Sequence, residues 1–257
     1  MNNEQVYLWP AYVDPAGGSE LVGRSSDGQE YMEVAGGGEV KYTVIKGIPR
    51  LLENSINYAA AFGEQWLRWR STQLDSFTGT SISRDRLYRC LRPEGLDLLN
   101  NSSRPVHVLE VGCGAGRFTE VLLRIPAVRL TSIDLSSAVE SNALNCPQDA
   151  GHRIAQADIM NPPFLPRQFD VVICLGVIQH TPSPEETIEK LYEQVKPGGY
   201  LIFDHYTFEI RRLKKITGNI LRSLVKRLPS GARMRAVERM VDLFFPIHKA
   251  IRKMPFA

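Results

Sequence analysis

The sequence predicts an α/β fold: a parallel sheet with helices on both faces, joined to a small N-terminal β segment and a C-terminal helical segment. Three observations predict it. From Val106 onward, apolar and β-branched runs alternate with helix-like segments at short spacing, the pattern of βαβ units. The first of these runs leads at once into a bare stretch, Gly112, Gly114 and Gly116, that opens a helix. A chain of 257 residues that is 43% hydrophobic can bury the core of one large domain, or of one domain with appendages.

The elements follow in order. Residues 1 to about 50 are rich in Gly and aromatics, and "AGGGEV" (Ala35–Val40) reads as a turn between short strands such as "EYMEV" and "VKYTVI". "NYAAAFGEQWLRWRSTQL" (Asn57–Leu74) reads as a helix with Tyr58, Phe62, Trp66 and Trp69 near one face, and a second helix is expected over Ser83–Arg92. "VHVLEV" is a strand, and "GAGRFTEVLLRI" opens a helix. "RLTSIDL" is a strand, "SSAVESNALN" a helix, "HRIAQAD" a third strand and "FDVVICLGV" a fourth. "PSPEETIEKLYEQV" carries Pro and acids in its first turn, as a helix N-terminus prefers. "KPGG" (Lys196–Gly199) ends that helix and "YLIFDHY" is a fifth strand. The expected division is 1–52, a small β-rich segment; 53–100, an aromatic helical lid or linker; 101–204, the sheet domain; and 205–257, a basic helical segment.

Charge and cysteine content bound the partners. A formal net charge of +3 is too small to suggest a nucleic-acid binder. It is unevenly spread, for residues 205–257 hold 13 Lys/Arg against 3 Asp/Glu. No apolar segment follows a basic start, so no signal peptide is expected, and no apolar run approaches the ~18 residues of a membrane span. Cys90, Cys113, Cys146 and Cys174 are far apart and form no CxxC pair. Neither a metal site nor a disulfide framework is expected, and reduced thiols in a cytoplasm are the default.

In an open α/β sheet, ligands bind beyond the carboxyl ends of the strands, and the first strand-to-helix turn is that place. Glycines there let a ligand approach the backbone, and the following helix aims its free N–H groups at it. The spacing is G-x-G-x-G. The dinucleotide pattern G-x-G-x-x-G/A fails from either start, since Arg117 or Thr119 stands where Gly or Ala belongs, and no GK[ST] follows. A ligand without a pyrophosphate is favoured.

At "LEVGCGAG" the chain resembles the class I S-adenosylmethionine-dependent methyltransferases, whose first motif reads hh(D/E)hGxGxG; the resemblance runs strongly from about Val106 to Asp204. It implies a Rossmann-like methyltransferase sheet, S-adenosyl-L-methionine as cofactor, and methyl transfer to a small-molecule O, N or C acceptor. Glu110 matches the acid near the ammonium of the methionine moiety, with a carboxylate capping the loop N–H groups as the other reading. Gly112, Gly114 and Gly116 would let the cofactor pass. Asp134, followed by Leu135, stands where the family has its ribose-binding acid. "QADIMNPPF" resembles the third motif, in which Ala157 belongs to the pocket, Asp158 meets the adenine amino group and Ile159 packs on the ring; the other reading makes Asp158 a turn cap. "FDVVICLGVIQHTP" resembles the fourth, with Leu175 and Gly176 lining the donor pocket, and "GVIQH" is similar to methyltransferases of the ubiquinone-biosynthesis type. His180 is the candidate catalytic residue, with a substrate ligand or a turn-capping histidine as the alternatives. Cys113 and Cys174 read as packing residues.

Both ends depart from the family. "IKGIPRLL" and "FGEQW" are similar to a bacterial subset that begins with a zinc ribbon, but no Cys precedes Cys90. A metal-free remnant of that ribbon, leaning on the main domain, is therefore expected. Phe62 and Trp66 read either as a lid over the cofactor or as an aromatic core stripe. Toward the C-terminus, Ile210, Leu213, Ile216, Ile220, Leu221, Leu224 and Leu228 recur at helical spacing between basic residues, and a second helix is expected over Ala232–Phe245. The last two strands of the family sheet are expected to be lacking, so the chain reads as a shortened member. The basic helices would either cap the substrate cleft or touch an anionic membrane surface peripherally. A non-catalytic cofactor-binding remnant is the competing function.

Overall fold

The structure, a computed structural model, describes residues 11–37, 39–52 and 58–205, with residues 223, 225, 227–229, 232–233, 235–240 and 242–244 beyond them. The chain divides into two compact units, 1–206 and 207–257. In the second unit the described residues from 232 to 244 are helical. Most of the helix expected over Ile210–Leu228 lies outside the described residues.

The first unit is built on one sheet of ten strands. Its N-terminal part is an antiparallel meander: β1 (Tyr12–Val13), β2 (Glu20–Ser26), β3 (Gln29–Val34), β4 (Val40–Ile45) and β5 (Ile48–Leu51). The parallel part is β6 (Val106–Val111), β7 (Val128–Asp134), β8 (His152–Ala157), β9 (Phe169–Cys174) and β10 (Val195–Phe203). The spatial order is β1-β2-β3-β4-β5-β8-β7-β6-β9-β10. The meander is therefore continuous with the sheet: Arg50 and Leu51 pair in parallel with Gln156 and Ala157. The sequence expectation of a small unit beside the domain misses this join. Ile48 and Leu51 are buried, Ile48 against Val139 and Ile154. Among the described residues no strand follows β10.

Strand alternation divides the core. Val106, Val108, Leu130, Val171 and Ile173 pack with Leu87, Leu91 and Leu122. Leu109, Val111, Ile133, Val172 and Cys174 pack on the other face with Ile178 and Leu191. The helices are α1 (Ala60–Arg68), α2 (Asp75–Thr78), α3 (Ile82–Asn101), α4 (Thr119–Leu122), α5 (Ala138–Asn145) and α6 (Pro184–Glu193), of which α3 supplies Leu87 and Leu91, α4 Leu122 and α6 Leu191.

Several boundaries differ from the sequence reading for local reasons. The helix expected from Gly114 begins at Thr119, because Gly114 and Gly116 sit at φ +53° and +97°, outside the right-handed helical region. The helix expected to end at Arg92 continues as α3 past a kink at Arg92, φ 57°, just before Pro93. "KPGG" lies inside β10, where pairing with β9 breaks after Val195 and resumes at Tyr200.

Helix ends tie α2, α3 and α4 together. Glu120 on α4 accepts from the amides of Asp75 (3.0 Å) and Ser76 (3.2 Å) at the start of α2. Asp75 in turn accepts from the amides of Ser83 and Arg84, each at 2.9 Å, at the start of α3. Free N–H groups of one helix are thus satisfied by a carboxylate on the next.

Candidate functional site

A cavity of about 240 Å³ opens at the carboxyl ends of β6, β7, β8 and β9. Each strand end contributes the residues that follow it. Gly112 and Gly114 come after β6, Asp134 and Leu135 at the end of β7, Ala157, Asp158 and Ile159 at β8, and Leu175 and Gly176 after β9. His180 and Thr181 complete the β9 side, while Tyr58, Phe62 and Trp66 close it from the α1 side.

The glycine loop is shaped by its neighbours. Gly112 sits at φ +72°, and a Cβ there would run into the side chain of Val177. A Cβ on Gly114 would stand 3.5 Å from the indole nitrogen of Trp66. Both positions need the conformational freedom of glycine, Gly114 at φ +53°, and Gly112 needs its small profile as well.

Asp134 holds the loop as it faces the cavity. Oδ2 accepts from the amide of Gly114 at 2.9 Å; Oδ1 accepts from the amide of Ser136 at 2.8 Å and from its hydroxyl at 2.6 Å. Burial pushes this carboxyl up from its ordinary value, against those hydrogen bonds. An ionised carboxylate offers about four lone-pair sites, so with three already used one ligand hydroxyl can still be received. Asp158 accepts from the phenol of Tyr58 and from the amide of Met160, each at 3.0 Å. It therefore makes the turn contact and lies on the cavity wall as well. Burial, then the neighbouring Asp158, raises the Tyr58 phenol above its ordinary range.

The structure does not bring Glu110 or Gly116 to the cavity wall. Glu110 is 2% exposed, and its Oε2 lies 2.6 Å from Thr119 Oγ1 and 3.0 Å from Ser132 Oγ. It shares a sheet face with Val106 and Val108, under α4, and this strand alternation turns it away from the ligand side. Burial pushes its carboxyl up to about 7. The expected contact with an ammonium is corrected accordingly. Gly116 makes room for α5 instead: a Cβ there would sit 3.1 Å from Cys146 Sγ.

His180 occupies a single 3₁₀ turn, Ile178–His180, with its ring centroid 4.9 Å from that of Phe62. Phe62 and Trp66 line the cavity and are absent from the buried core, which favours the lid over the core stripe. Gly63 makes this close approach possible, since a Cβ there would meet the Ser137 amide at 3.0 Å.

Sequence reading missed the cationic end of the cavity. Arg86 on α3 and Arg117 both line it, 5.5 and 5.2 Å from the ring of Phe118. Arg86 pairs with Asp204, whose other oxygen accepts from the amide of Gly176 at 2.5 Å. Arg117 Nε donates to Ser83 Oγ at 3.1 Å. No local pattern marks Arg86, because its partner lies 118 residues away. The wall as a whole offers acids for a hydroxyl and an amine, apolar side chains for a ring, and cations for a carboxylate.

Residues 109–203 match a family model described as a methyltransferase domain. A ubiquinone biosynthesis O-methyltransferase of Pseudomonas entomophila (strain L48) is 36% identical over 100 residues, covering 37% of this chain and 42% of that protein. The enzyme of the same name from Pseudomonas putida (strain GB-1) is 34% identical over 99 residues, with the same coverage. The chain thus spans less than half the length of these curated relatives. Among solved structures, the N-methyltransferase NodS from Bradyrhizobium japonicum WM9, in complex with S-adenosyl-L-homocysteine, is similar at 26% identity and a TM-score of 0.39, covering 47% of this chain and 60% of that one. Residues 109–203 of this chain thus match the methyltransferase-domain model, and the glycine loop and the acids at successive strand ends all lie inside that match.

Proposed function

We propose that this protein transfers a methyl group from S-adenosylmethionine to an O, N or C atom of a small molecule. One observation carries the reading: four consecutive strand ends each bring residues that resemble a family motif to one cavity, Gly112 and Gly114 from the first of them. When bound, the cofactor supplies an electrophilic methyl on a sulfonium. The cavity fits such a molecule. In this reading Asp134 accepts from a ribose hydroxyl, Asp158 accepts from an adenine amine, and Leu135 and Ile159 flank the ring, all four being residues of the cavity wall. The glycine cradle admits backbone approach where a Cβ would intrude. Arg86 and Arg117 give a carboxylate a partner, with Asp204 keeping Arg86 in position until then.

The chain's own residues would bring donor and acceptor in line and exclude water, and proximity supplies much of such a rate. Phe62 and Trp66 cover the cleft in this reading. His180 stands at the rim between Phe62 and the β9 loop, where an acceptor can reach it, and its role is to bind or orient that acceptor. A small-molecule acceptor is supported by the ubiquinone-pathway names of the relatives. A cytoplasmic setting belongs to the same reading and is supported by four free cysteines. In the division that goes with this reading, residues 101–204 bind the cofactor and 53–100 form the lid and its link.

The test has two parts. Calorimetry with S-adenosylmethionine and S-adenosylhomocysteine should show saturable binding, and a screen of small phenols, amines and carbon acids with methyl-labelled cofactor should show label transfer. Binding without transfer to any acceptor class would favour a non-catalytic cofactor binder; no binding would overturn the reading.

A further inference from the structure

Beneath the glycine loop lies a polar chain that the methyl-transfer reading does not use. Glu110 on β6, Ser132 on β7 and His152 on β8 sit on three adjacent strands, with Glu110 opposite Ser132 in register. All three are buried, at 2%, 0% and 0% exposure. Ser132 Oγ lies 3.0 Å from Glu110 Oε2 and 3.2 Å from His152 Nε2. His152 Nδ1 faces the carbonyl of Pro147 at 3.4 Å, with the Cys146 carbonyl also near. At the other end Thr119 Oγ1 lies 2.6 Å from Glu110 Oε2 and accepts from Asn142 Nδ2 at 2.9 Å.

Counting protons along this chain gives an unexpected result. A carbonyl only accepts, so the Nδ1 contact needs a proton on Nδ1. Thr119, already accepting from Asn142, turns its own hydroxyl proton to Glu110. The contacts of Ser132 with His152 and with Glu110 need one proton each, and the serine hydroxyl has one to give. An ionised Glu110 and a neutral His152 therefore leave the chain one proton short.

That extra proton resides on Glu110 or on His152. On His152 it creates an imidazolium and a carboxylate, both out of water and two hydrogen bonds apart, and each buried ion carries a heavy desolvation cost. On Glu110 it leaves both groups neutral and every contact satisfied. Neighbouring charges agree. Asp134 disfavours a carboxylate at Glu110, and the Cys113 and Cys146 thiols beside it are held protonated by burial. Around His152, Asp149 favours and Arg153 disfavours an added charge.

We propose that Glu110 is a positioning residue held as the neutral carboxylic acid, donating to Ser132, which donates to Nε2 of a neutral His152. This relay cross-links three strands under the glycine loop and gives no charge to a ligand above it. Burial pushing Glu110 up and His152 down is in the same sense.

The experiment is NMR on the intact protein, with ¹³C at glutamate carboxyls and ¹⁵N at histidine rings, the two signals being assigned through E110Q and H152Q, or by through-bond correlations if either variant fails to fold. At about pH 6 the Glu110 carboxyl is expected to carry the acid shift, and His152 to show the neutral ring protonated at Nδ1. A carboxylate shift together with an imidazolium, or a carboxylate beside a neutral ring, would overturn the proposal. E110Q, whose amide can also donate to Ser132, should keep its melting temperature near that of the wild type at mildly acid pH. Glu110 has a raised folded pKa, so its stabilising effect is lost as pH rises through about 7. The wild-type melting temperature should therefore fall relative to E110Q over that range; parallel curves would also overturn it. Neither readout depends on cofactor binding or turnover.

Discussion

The carboxylate of Asp134 receives the amide of Gly114 at 2.9 Å, across 20 residues of chain. One side chain thus shapes the glycine loop and faces the ligand space above it. Removing it should act twice. Asp134→Ala is expected to weaken S-adenosylmethionine binding by about 1.5–3 kcal/mol, the range for a lost charged hydrogen-bond partner. Asp134→Asn should keep most of the loop contact while losing the charge. Calorimetry on both variants checks this, and unchanged affinity in the alanine variant would remove Asp134 from the ribose role.

Gly112→Ala should be costly for two separable reasons. The residue sits at φ +72°, and its Cβ would strike Val177. Strain and overpacking together suggest a loss on the order of 2–4 kcal/mol. The double variant with Val177→Ala should recover the steric share and leave the backbone share. Urea midpoints for the single and double variants measure both.

Ile48 tests the join between the meander and the parallel sheet. It is fully buried against Val139 and Ile154. Ile48→Ala is expected to cost about 2–5 kcal/mol, the range for a large-to-small change in a core. A loss of only a few tenths would mean that the meander docks loosely on β8.

Acid stability should trace to Asp170. Burial raises its carboxyl, but hydrogen bonds from Arg104, the His107 amide and Lys196 win and bring it down to about 2. A folded pKa below the unfolded one, about 3.9, gives stability that is present above the unfolded value and is lost as pH falls through the folded one. Between about pH 4 and pH 2 the wild type should lose stability steeply, and Asp170→Asn should lack that limb while being less stable at neutral pH. Denaturant titrations over that range decide it.

Structural zinc is not expected in residues 1–50, which contain no cysteine. Elemental analysis of untagged protein should find it well below one atom per chain; a stoichiometric amount would reverse this reading of the N-terminal segment.

Much of the ligand side was legible because its signals are local. Gly112 and Gly114, Asp134, and the Ala157–Ile159 run each follow a strand that hydrophobic pattern alone reveals. Glu110 was placed on the wrong side for a definite reason. β6 is buried on both faces, so apolar alternation does not say which way its one acid points. Arg86 was invisible because its meaning depends on Asp204, far away in sequence, and β5 because a four-residue strand containing a proline looks like a junction until β8 is beside it.

The carboxylate ties from Glu120 to α2 and from Asp75 to α3 bear on how this protein can be re-engineered. They fix the starts of α2 and α3 relative to α4, while β6 in the same segment is paired with β7 and β9. A relative's α3 grafted on its own would still be moored at its N-terminus, because Asp75 receives backbone amides that any sequence supplies. Alignment of the cationic end needs a third carboxylate from outside that segment, Asp204, to hold Arg86.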